Sequence, residues 1–243
     1  MLAKNEIKFI QRLKQKKFRN QNGMFVAEGE KLLQHLLQLG LDASFLYTTN
    51  ASLCAKGFTL ISEADMKRIS FLATPSAAFG VFKKPNFSLE TPDADFILVL
   101  DAIRDPGNMG TILRLCDWFG VPQLICTDDC VEVFNEKVVQ ASMGSVAGTQ
   151  VFSMNREELA RFLMQHKYTV FGADMGAKSV YETNYPKKSA LLLGNEGQGI
   201  SNELNAIITE KITIPAAPNA KAESLNVAMA AAILLSDFAR KST

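Results

Sequence analysis

The sequence predicts an α/β protein whose larger, C-terminal part is built on a mostly parallel sheet. Short apolar runs alternate with helical patterns along the whole chain, which favours this class over all-α or all-β folds. The runs at residues 96–100 and 190–193 contain no polar residue. Continuous apolar runs are typical of strands buried on both faces of a parallel sheet.

The chain is predicted to divide into an N-terminal domain at 1–84, a linker at 85–95 and a second domain at 96–243. The linker lies where Pro85 and Pro92 enclose a polar stretch without periodicity. The elements predicted for the first domain are helices at 4–18, 28–39 and 63–69 and strands at 24–27, 43–48, 58–61 and 77–82. Those predicted for the second are strands at 96–100, 123–127, 150–152, 168–173, 190–193 and 211–214 and helices at 111–119, 134–145, 157–166, 203–208 and from about 224 onward.

Composition excludes several classes of protein. With 243 residues, 47% hydrophobic and 21% charged, the chain can bury a substantial core. It lacks an apolar run as long as a membrane span and, at its start, the apolar core of a signal peptide, so we expect a cytoplasmic protein. Four cysteines without CxxC spacing and two histidines argue against a metal site. Cys126 and Cys130 could pair, but reduced thiols are expected in that compartment.

Charge is concentrated at the N-terminus although the net charge is only +1. The first two dozen positions contain seven basic residues and a single acidic residue, Glu6. The basic residues are Lys4, Lys8, Arg12, Lys14, Lys16, Lys17 and Arg19. A basic stripe can follow a phosphate backbone. A solvated helix face would have the same composition, so both interpretations stay open on charge alone.

Three strand–loop–helix junctions, at 100–114, 193–201 and 214–226, carry the polar residues that could perform chemistry. Ligands of open parallel sheets bind at the carboxyl ends of the strands, where such loops converge. Gly194-Asn-Glu-Gly-Gln-Gly199 has its glycines in GxxGxG order, so it is neither the Rossmann fingerprint nor a P-loop. Glycine lets a ligand approach the backbone closely, and an ordinary turn is the alternative.

Arg114 and the last helix carry two further expectations. Arg114 has largely apolar helical neighbours, so its guanidinium needs an anionic partner: a structural salt bridge to Asp101, Asp105 or Asp117, or a phosphate or developing negative charge. The Ala-rich C-terminal helix is apolar on most faces and is expected to be buried. Its polar start is therefore expected deep in the fold.

The junctions resemble the three signature motifs of the SpoU (TrmH-like) branch of the SPOUT RNA methyltransferases. The matching segments are Asp105-Pro-Gly-Asn-Met-Gly-Thr-Ile-Leu-Arg114, Leu193-Gly-Asn-Glu-Gly-Gln-Gly-Ile-Ser201, and Ile214-Pro with Glu223-Ser-Leu-Asn-Val227. Lys137-Val-Val-Gln-Ala-Ser-Met-Gly-Ser145 also follows the family's pattern. Met24-Phe-Val-Ala-Glu-Gly-Glu-Lys-Leu-Leu33 is similar to the L30e-like substrate-binding domain that many members carry.

The resemblance implies S-adenosylmethionine as methyl donor, transfer to a ribose 2′-OH of tRNA or rRNA, a homodimer, and a C-terminal SPOUT domain threaded as a trefoil knot. By motif position it implies catalytic roles for Arg114, Asn108, Glu196, Ser224 and Asn226. It implies cofactor binding by Leu193, Gly194, Asn195, Gly197, Ile214 and Leu225, and RNA binding by Lys14, Lys16, Lys17 and Arg19. One departure is a longer third-motif loop, with Ala216-Ala-Pro-Asn-Ala-Lys-Ala222 after the Ile-Pro pair, which bears on the shape of the adenosine pocket.

Methyl transfer from a sulfonium needs an aligned and activated 2′-oxygen more than leaving-group assistance. Guanidinium stays protonated in proteins, so we assign Arg114 to the developing alkoxide and the adjacent phosphate, and not to proton removal. The alternatives are an RNA base methyltransferase of the same fold, a catalytically silent RNA-binding relative, and a nucleotide-dependent enzyme of the NAD or ATP kind. The missing GxGxxG and Gly-Lys-Ser/Thr patterns disfavour the last of these.

Overall fold

The computed structural model describes residues 2–85 and 94–242, which form two compact units. The first unit comprises residues 2–85 together with 132–148, and the second comprises 94–131 and 149–242. Residues 86–93 of the predicted linker lie outside the described residues. The predicted boundary there stays a prediction, but the segment 132–148, which the sequence places in the second domain, packs with the first unit.

The strands of the described ranges are β1 (Met24–Glu28), β2 (Ala43–Thr48), β3 (Thr59–Leu60), β4 (Ala78–Lys83), β5 (Phe96–Leu100), β6 (Gln123–Thr127), β7 (Gln150–Met154), β8 (Thr169–Ser179), β9 (Ser189–Leu193) and β10 (Glu210–Thr213). The α-helices are α1 (Lys4–Arg12), α2 (Lys16–Asn22), α3 (Glu30–Gln38), α4 (Glu63–Ile69), α5 (Pro106–Phe119), α6 (Glu136–Ser142), α7 (Arg156–Gln165), α8 (Asn202–Asn205) and α9 (Val227–Ser242). Short 3₁₀ helices lie at Ala51–Lys56, Ser145–Ala147 and Val180–Glu182.

The first unit is a four-stranded sheet in the order β1-β4-β2-β3, antiparallel except for the β2–β3 pair. Its core packs the apolar side of α1, including Ile7 and Ile10, and Leu13 directly after α1 against the sheet. Helix α6 also packs on β1, and the ring centroids of Phe25 and Phe134 lie 5.0 Å apart. The approach at Gly144 is close, because a Cβ there would lie 2.5 Å from Cδ2 of His35.

The second unit is a six-stranded sheet in the order β10-β8-β9-β5-β6-β7, and the pairs between neighbouring described strands are parallel. Strands β5 and β9 are buried at every position, as their continuous apolar runs predict, and β6 is buried at every position as well. After β5 the chain adds β6 and β7 on one side of β5, and it later adds β8, β9 and β10 on the other side. The carboxyl ends of β5 and β9 therefore meet at a topological switch point, where ligands of such sheets bind.

Several helix boundaries differ from their predictions. The helix expected at 4–18 is two helices, and α2 continues to Asn22, where Gly23 closes it at φ 60°. The segment predicted as a loop up to 110 is already helical from Pro106. Asp105 caps this helix, because its Oδ1 accepts a 2.8 Å hydrogen bond from Asn108 N, and proline suits the first helical position.

The expectation of a deeply buried polar start for the last helix was wrong. Helix α9 begins at Val227, and residues 215–226 before it are exposed. Helix α9 packs against α5, and its Phe238 stacks on Phe96 of β5, while Met229 is 57% exposed. Within the described ranges, no helix is long and apolar enough to cross a membrane. The trefoil knot that the resemblance implies stays a prediction.

Candidate active site

The loops that follow β9 and β10 enclose a cavity of about 440 Å³ in the second unit. Seven residues predicted as functional line it, namely Leu193, Gly194, Asn195, Glu196, Ile214, Ser224 and Leu225. Gly197 is not among the lining residues. The middle of β8, at 173–175, and the first turns of α9 complete the wall. This volume falls in the ordinary range of small-molecule sites.

The walls of this cavity are mainly apolar and come from small residues. The alanines of the longer third-motif loop, Ala216, Ala217, Ala220 and Ala222, all face it. Ala220 N donates a 2.9 Å hydrogen bond to Ala217 O, so this loop contains a turn. An apolar slot edged by backbone polar groups suits a flat heteroaromatic ring such as adenine. The extra residues of the loop thus contribute to the pocket.

Position 194 requires glycine for a structural reason as well as for ligand approach. The loop folds back on itself, with paired backbone hydrogen bonds between Asn195 and Gly199 at 3.0 and 2.8 Å. A Cβ at Gly194 would lie 2.3 Å from the carbonyl carbon of Gly199. The neighbour that requires glycine here is therefore the loop itself, which passes directly over residue 194.

A hydrogen-bond chain joins the three predicted motifs. Asn226 Oδ1 accepts from the backbone N–H groups of Ala228 (3.0 Å) and Met229 (3.3 Å), which caps α9. Its Nδ2 donates to Asn108 Oδ1 at 2.9 Å, and Asn108 Nδ2 donates to Glu196 Oε1 at 2.5 Å. The helix start thus sets the orientation of both amides, and a carboxylate ends the chain beside the cavity. The sequence places these residues 118 and 88 positions apart.

Arg114 lies outside this chain and outside the cavity wall. It is exposed on α5, and within residues 2–85 and 94–242 its guanidinium has no carboxylate at ion-pair distance. The structural salt bridge weighed from the sequence is therefore not observed. Asp101 is paired with Arg156 instead, at 2.8 Å, and Asp105 caps α5. The expectation that apolar neighbours surround Arg114 fails because Ile112 and Leu113 are buried on another side of the helix, while Trp118, on the Arg114 side, is exposed.

Three polar residues beneath the site were not singled out from the sequence: Thr127, Asp129 and Arg156. Asp101 Oδ2 accepts a 2.7 Å hydrogen bond from Ser201 N at the end of the second-motif loop. Arg156 bonds Asp101 (3.0 Å from Nε) and Asp129 (2.9 Å from Nη2). The signal available in the sequence was the run Thr127-Asp-Asp129 at the carboxyl end of β6, which neighbours β5.

Cys116 lies two residues from Arg114 but is not a candidate nucleophile. Its side chain is fully buried, and burial raises the pKa of the Cys116 thiol to about 12. A thiol with such a pKa is protonated at neutral pH and therefore a poor nucleophile. The four cysteines, all within the described ranges, are free thiols.

The predicted RNA contacts separate into two groups. Lys14, Lys16 and Lys17 are exposed where α1 gives way to α2. Arg19 is 3% exposed and forms a buried ion pair with Glu132, while its Nη1 donates to the carbonyls of residues 13 and 14 at 2.8 and 2.7 Å. Its donors are engaged inside the first unit, so we omit Arg19 from the RNA surface.

Comparison with known proteins gives matches over nearly the whole chain. The SpoU rRNA Methylase family model matches residues 95–236, and the MRM3-like substrate binding domain model matches residues 4–80. The 23S rRNA (guanosine(2553)-2′-O)-methyltransferase RlmP of Bacillus subtilis is 30% identical over 241 residues, which cover 96% of each protein.

Solved structures agree with this assignment. A TrmH-family structure from Porphyromonas gingivalis is 38% identical, with a TM-score of 0.87 and 99% of each chain covered. An AdoMet-bound rRNA methyltransferase from Sinorhizobium meliloti is 29% identical, with a TM-score of 0.84, over 100% of this chain and 96% of that one. The chain therefore belongs to the SpoU rRNA methylase family, which confirms the predicted α/β fold class and the predicted S-adenosylmethionine-dependent RNA methyltransferase.

Proposed function

We propose that this protein transfers a methyl group from S-adenosylmethionine to a ribose 2′-OH of ribosomal RNA. The observation that carries the proposal is the chain from Asn226 through Asn108 to Glu196, which ends at the cavity wall. Two relatives that match nearly the full chain are named as rRNA methyltransferases, which favours rRNA over tRNA. The matched substrate-binding domain supports an RNA substrate of the same kind.

The cavity fits the proposed cofactor by volume and by chemistry. Leu193, Ile214 and Leu225 provide apolar contact for an adenine ring, and the loop backbone supplies polar groups at its edge. When bound, S-adenosylmethionine supplies an electrophilic methyl group on a sulfonium, an excellent leaving group. We assign Leu193, Gly194, Asn195, Ile214 and Leu225 to its binding, and we keep Gly197 only as a neighbour that shapes the loop.

The residues of the hydrogen-bond chain orient the nucleophile. Glu196 Oε1 is held by Asn108, which leaves Oε2 available for a ribose hydroxyl or for the guanidinium of Arg114. Ser224 lines the same cavity and can donate to a ribose oxygen. Arg114 has no carboxylate partner in the described part of the chain, so it can pair with an RNA phosphate and stabilise the developing alkoxide.

We propose that a homodimer forms through the face of the second unit that carries Trp118. Trp118 is 83% exposed on α5, and Arg114 lies one helical turn before it on the same face. Met229 and Leu225 add exposed apolar surface at the start of α9. Exposed aromatic and apolar side chains of this size are typical of interfaces. A second copy that covers Trp118 would also come close to Arg114.

We propose that the first unit binds RNA through the surface made by Lys14, Lys16 and Lys17. Lys14 Nζ stands 4.8 Å from the ring centroid of Phe71, so an aromatic face borders the charges. Such a surface would bind the RNA backbone phosphates and recognise the shape of an RNA helix, because the base edges are hidden in its deep groove. A cytoplasmic location remains part of the proposal, and the free thiols are consistent with a reducing compartment.

The test is nucleoside mass spectrometry of rRNA and tRNA after incubation with the protein and isotope-labelled S-adenosylmethionine. A labelled 2′-O-methyl nucleoside in rRNA is the expected product. Label on a base would contradict the alkoxide role of Arg114 while the cofactor assignment stands. Label in tRNA alone would contradict the choice of RNA.

A further inference from the structure

Ala102, which follows β5 directly, has a backbone conformation that residues other than glycine rarely adopt. Its φ is 56°, in the left-handed region, and it is 4% exposed. Such conformations persist where the surrounding structure enforces them, and they cluster at functional sites. Both polar backbone groups of Ala102 are held by side chains. Its N–H donates to Thr127 Oγ1 at 2.9 Å, and its carbonyl accepts from Asn195 Nδ2 at 2.9 Å.

The Thr127 hydroxyl is itself fixed in direction. It is buried and donates its hydrogen to Asp129 Oδ1 at 2.7 Å, so its lone pairs are directed to Ala102 N–H. Asp129 is anchored by Arg156 Nη2 at 2.9 Å. Burial acts to raise the pKa of Asp129, but hydrogen bonds from Thr127 and Arg156 outweigh it and lower the pKa. Asp129 therefore remains an ionised acceptor at neutral pH.

The orientation of the Asn195 side-chain amide is also fixed by hydrogen bonds. Its Oδ1 accepts from the N–H groups of Gly197 (2.9 Å) and Gln198 (3.1 Å) within its own loop. This leaves Nδ2 directed to Ala102 O. The loop after β9 and the loop after β5 are consequently joined at one residue, Ala102.

Ala102 lies shortly before helix α5. Three residues later, Asp105 caps the helix through Asn108 N, and the side chain of Asn108 contacts Glu196. We propose that Thr127 is a positioning residue for methyl transfer: its hydroxyl holds Ala102 in the left-handed conformation that brings Asn108 to Glu196. This inference rests on the proposed function, and it adds a residue from β6 to a site otherwise assigned to three motifs.

The test compares Thr127→Val, Thr127→Ser, Ala102→Gly and the double variant Thr127→Val/Ala102→Gly in the full chain. Valine has nearly the shape of threonine without the hydroxyl. We expect kcat of Thr127→Val on rRNA to fall roughly tenfold, while the Kd for S-adenosylmethionine, measured by calorimetry, changes less than about twofold. The cofactor cavity is lined by neither Thr127 nor residues 101–105, which is why the two parameters should separate. Serine retains the hydroxyl and should retain kcat.

The double variant separates positioning from general destabilisation. Glycine adopts the left-handed conformation without help, so Ala102→Gly should restore most of the kcat that Thr127→Val loses. A Thr127→Val protein with wild-type kcat, or a double variant no better than the single one, would overturn the proposal. So would a loss of cofactor affinity in the same proportion as kcat.

A readout independent of catalysis keeps this inference distinguishable from the proposed function. In protein labelled with ¹⁵N-asparagine, the side-chain amide signals of Asn108 and Asn195 should shift in Thr127→Val and return in Thr127→Ser. If the wild-type protein methylated no RNA, the proposed function would fail while these shifts still tested the positioning role. Unshifted amide signals in Thr127→Val would overturn it whatever the activity.

Discussion

Arg114 is an exposed charged residue that forms no ion pair within the described residues. Its carboxylate neighbours are engaged elsewhere, since Asp101 pairs with Arg156 and Asp105 caps α5. An exposed guanidinium has no desolvation cost to recover, and Arg114 takes part in no ion pair within the described part of the chain. Its planar fork matches a phosphate or an alkoxide beside a phosphate.

Replacement of Arg114 should therefore impair catalysis and leave folding unchanged. We expect Arg114→Ala to lower kcat by about 10²–10³, the usual loss for one electrostatic donor, with unchanged melting temperature and cofactor affinity. Arg114→Lys should recover little, because an ammonium cannot bind bidentately. Arg161→Ala on α7, another exposed arginine of the same unit, is the control and should match wild type. Near-full activity of Arg114→Lys would exclude the bidentate role.

Glu28 is a buried carboxyl in the first unit that makes stability depend on pH. Burial raises its pKa, against the effect of hydrogen bonds from Ser70 Oγ and Phe71 N, both 2.6 Å long. The folded state therefore binds this proton more tightly than the unfolded state. Stability from Glu28 is fully present below the ordinary glutamate pKa and is lost as pH rises through the raised value.

We expect the difference in melting temperature between wild type and Glu28→Gln to shrink as pH rises from about 4.5 toward neutrality. Glutamine keeps an acceptor for Ser70 or Phe71 but does not titrate. Thermal denaturation of both proteins across this range, at constant ionic strength, measures the difference. A difference that grows with pH would mean that the hydrogen bonds, and not burial, dominate at Glu28.

At the scale of elements, the start of α9 has two functions at one residue. Asn226 caps the helix through Oδ1 and directs Nδ2 to Asn108. Asn155 at the start of α7 also caps its helix, through a capping box with Glu158. Within residues 2–85 and 94–242, the Asn155 side chain bonds only Glu158 of its own helix. The two asparagines therefore allow capping to be separated from orientation of the site.

We predict that Asn226→Asp keeps the helix cap but interrupts the hydrogen-bond chain between Asn226 and Asn108. A carboxylate still accepts from Ala228 and Met229 N–H and is favoured at a helix N-terminus. It cannot donate to Asn108, whose amide would lose its fixed orientation toward Glu196. We expect a kcat roughly tenfold lower with unchanged stability, as one lost hydrogen bond of about 1–1.5 kcal/mol implies. Asn155→Asp should match wild type in both kcat and stability. Equal kcat in the two variants would refute the proposed role of the hydrogen-bond chain.

For the whole molecule, the question is what covers the α5 face. Trp118 is far more exposed than a large apolar side chain usually is, and it shares its face with Arg114. A dimer through this face would bury the indole and bring a second chain close to Arg114. Oligomeric state and activity should then be linked.

We expect Trp118→Glu to weaken self-association by about 2 kcal/mol or more, roughly 30-fold, as for a central aromatic residue of an interface. Sedimentation analysis at several protein concentrations measures the change, and methyl transfer should fall in parallel. Met164→Glu is the matched control, because Met164 is 67% exposed on a different helix of the same unit, α7. A monomeric wild-type protein, or a larger effect of Met164→Glu, would contradict the proposed interface.

Much of the fold was predictable because its signals are local. The apolar runs of β5 and β9 and the alternation around them identified a parallel sheet, and ordered motifs identified the family. The start of α5 was misplaced because Asp105-Pro106 was taken as loop chemistry when it is a cap followed by a first-turn proline. The packing of 132–148 with the first unit had no signal, since it depends on contacts such as Phe25 with Phe134, far apart in sequence.

By itself the sequence determined which residues are available for chemistry: the polar groups of three loops, each following a short apolar strand. The tertiary structure alone decided which of them meet. Asn108, Glu196 and Asn226 come together because the sheet order sets the ends of β5, β9 and β10 at one edge. It also decided that Arg19 is buried beside Glu132 while Arg114 is exposed. Residue type is a local property, whereas burial and partners depend on non-local packing, which periodicity does not encode.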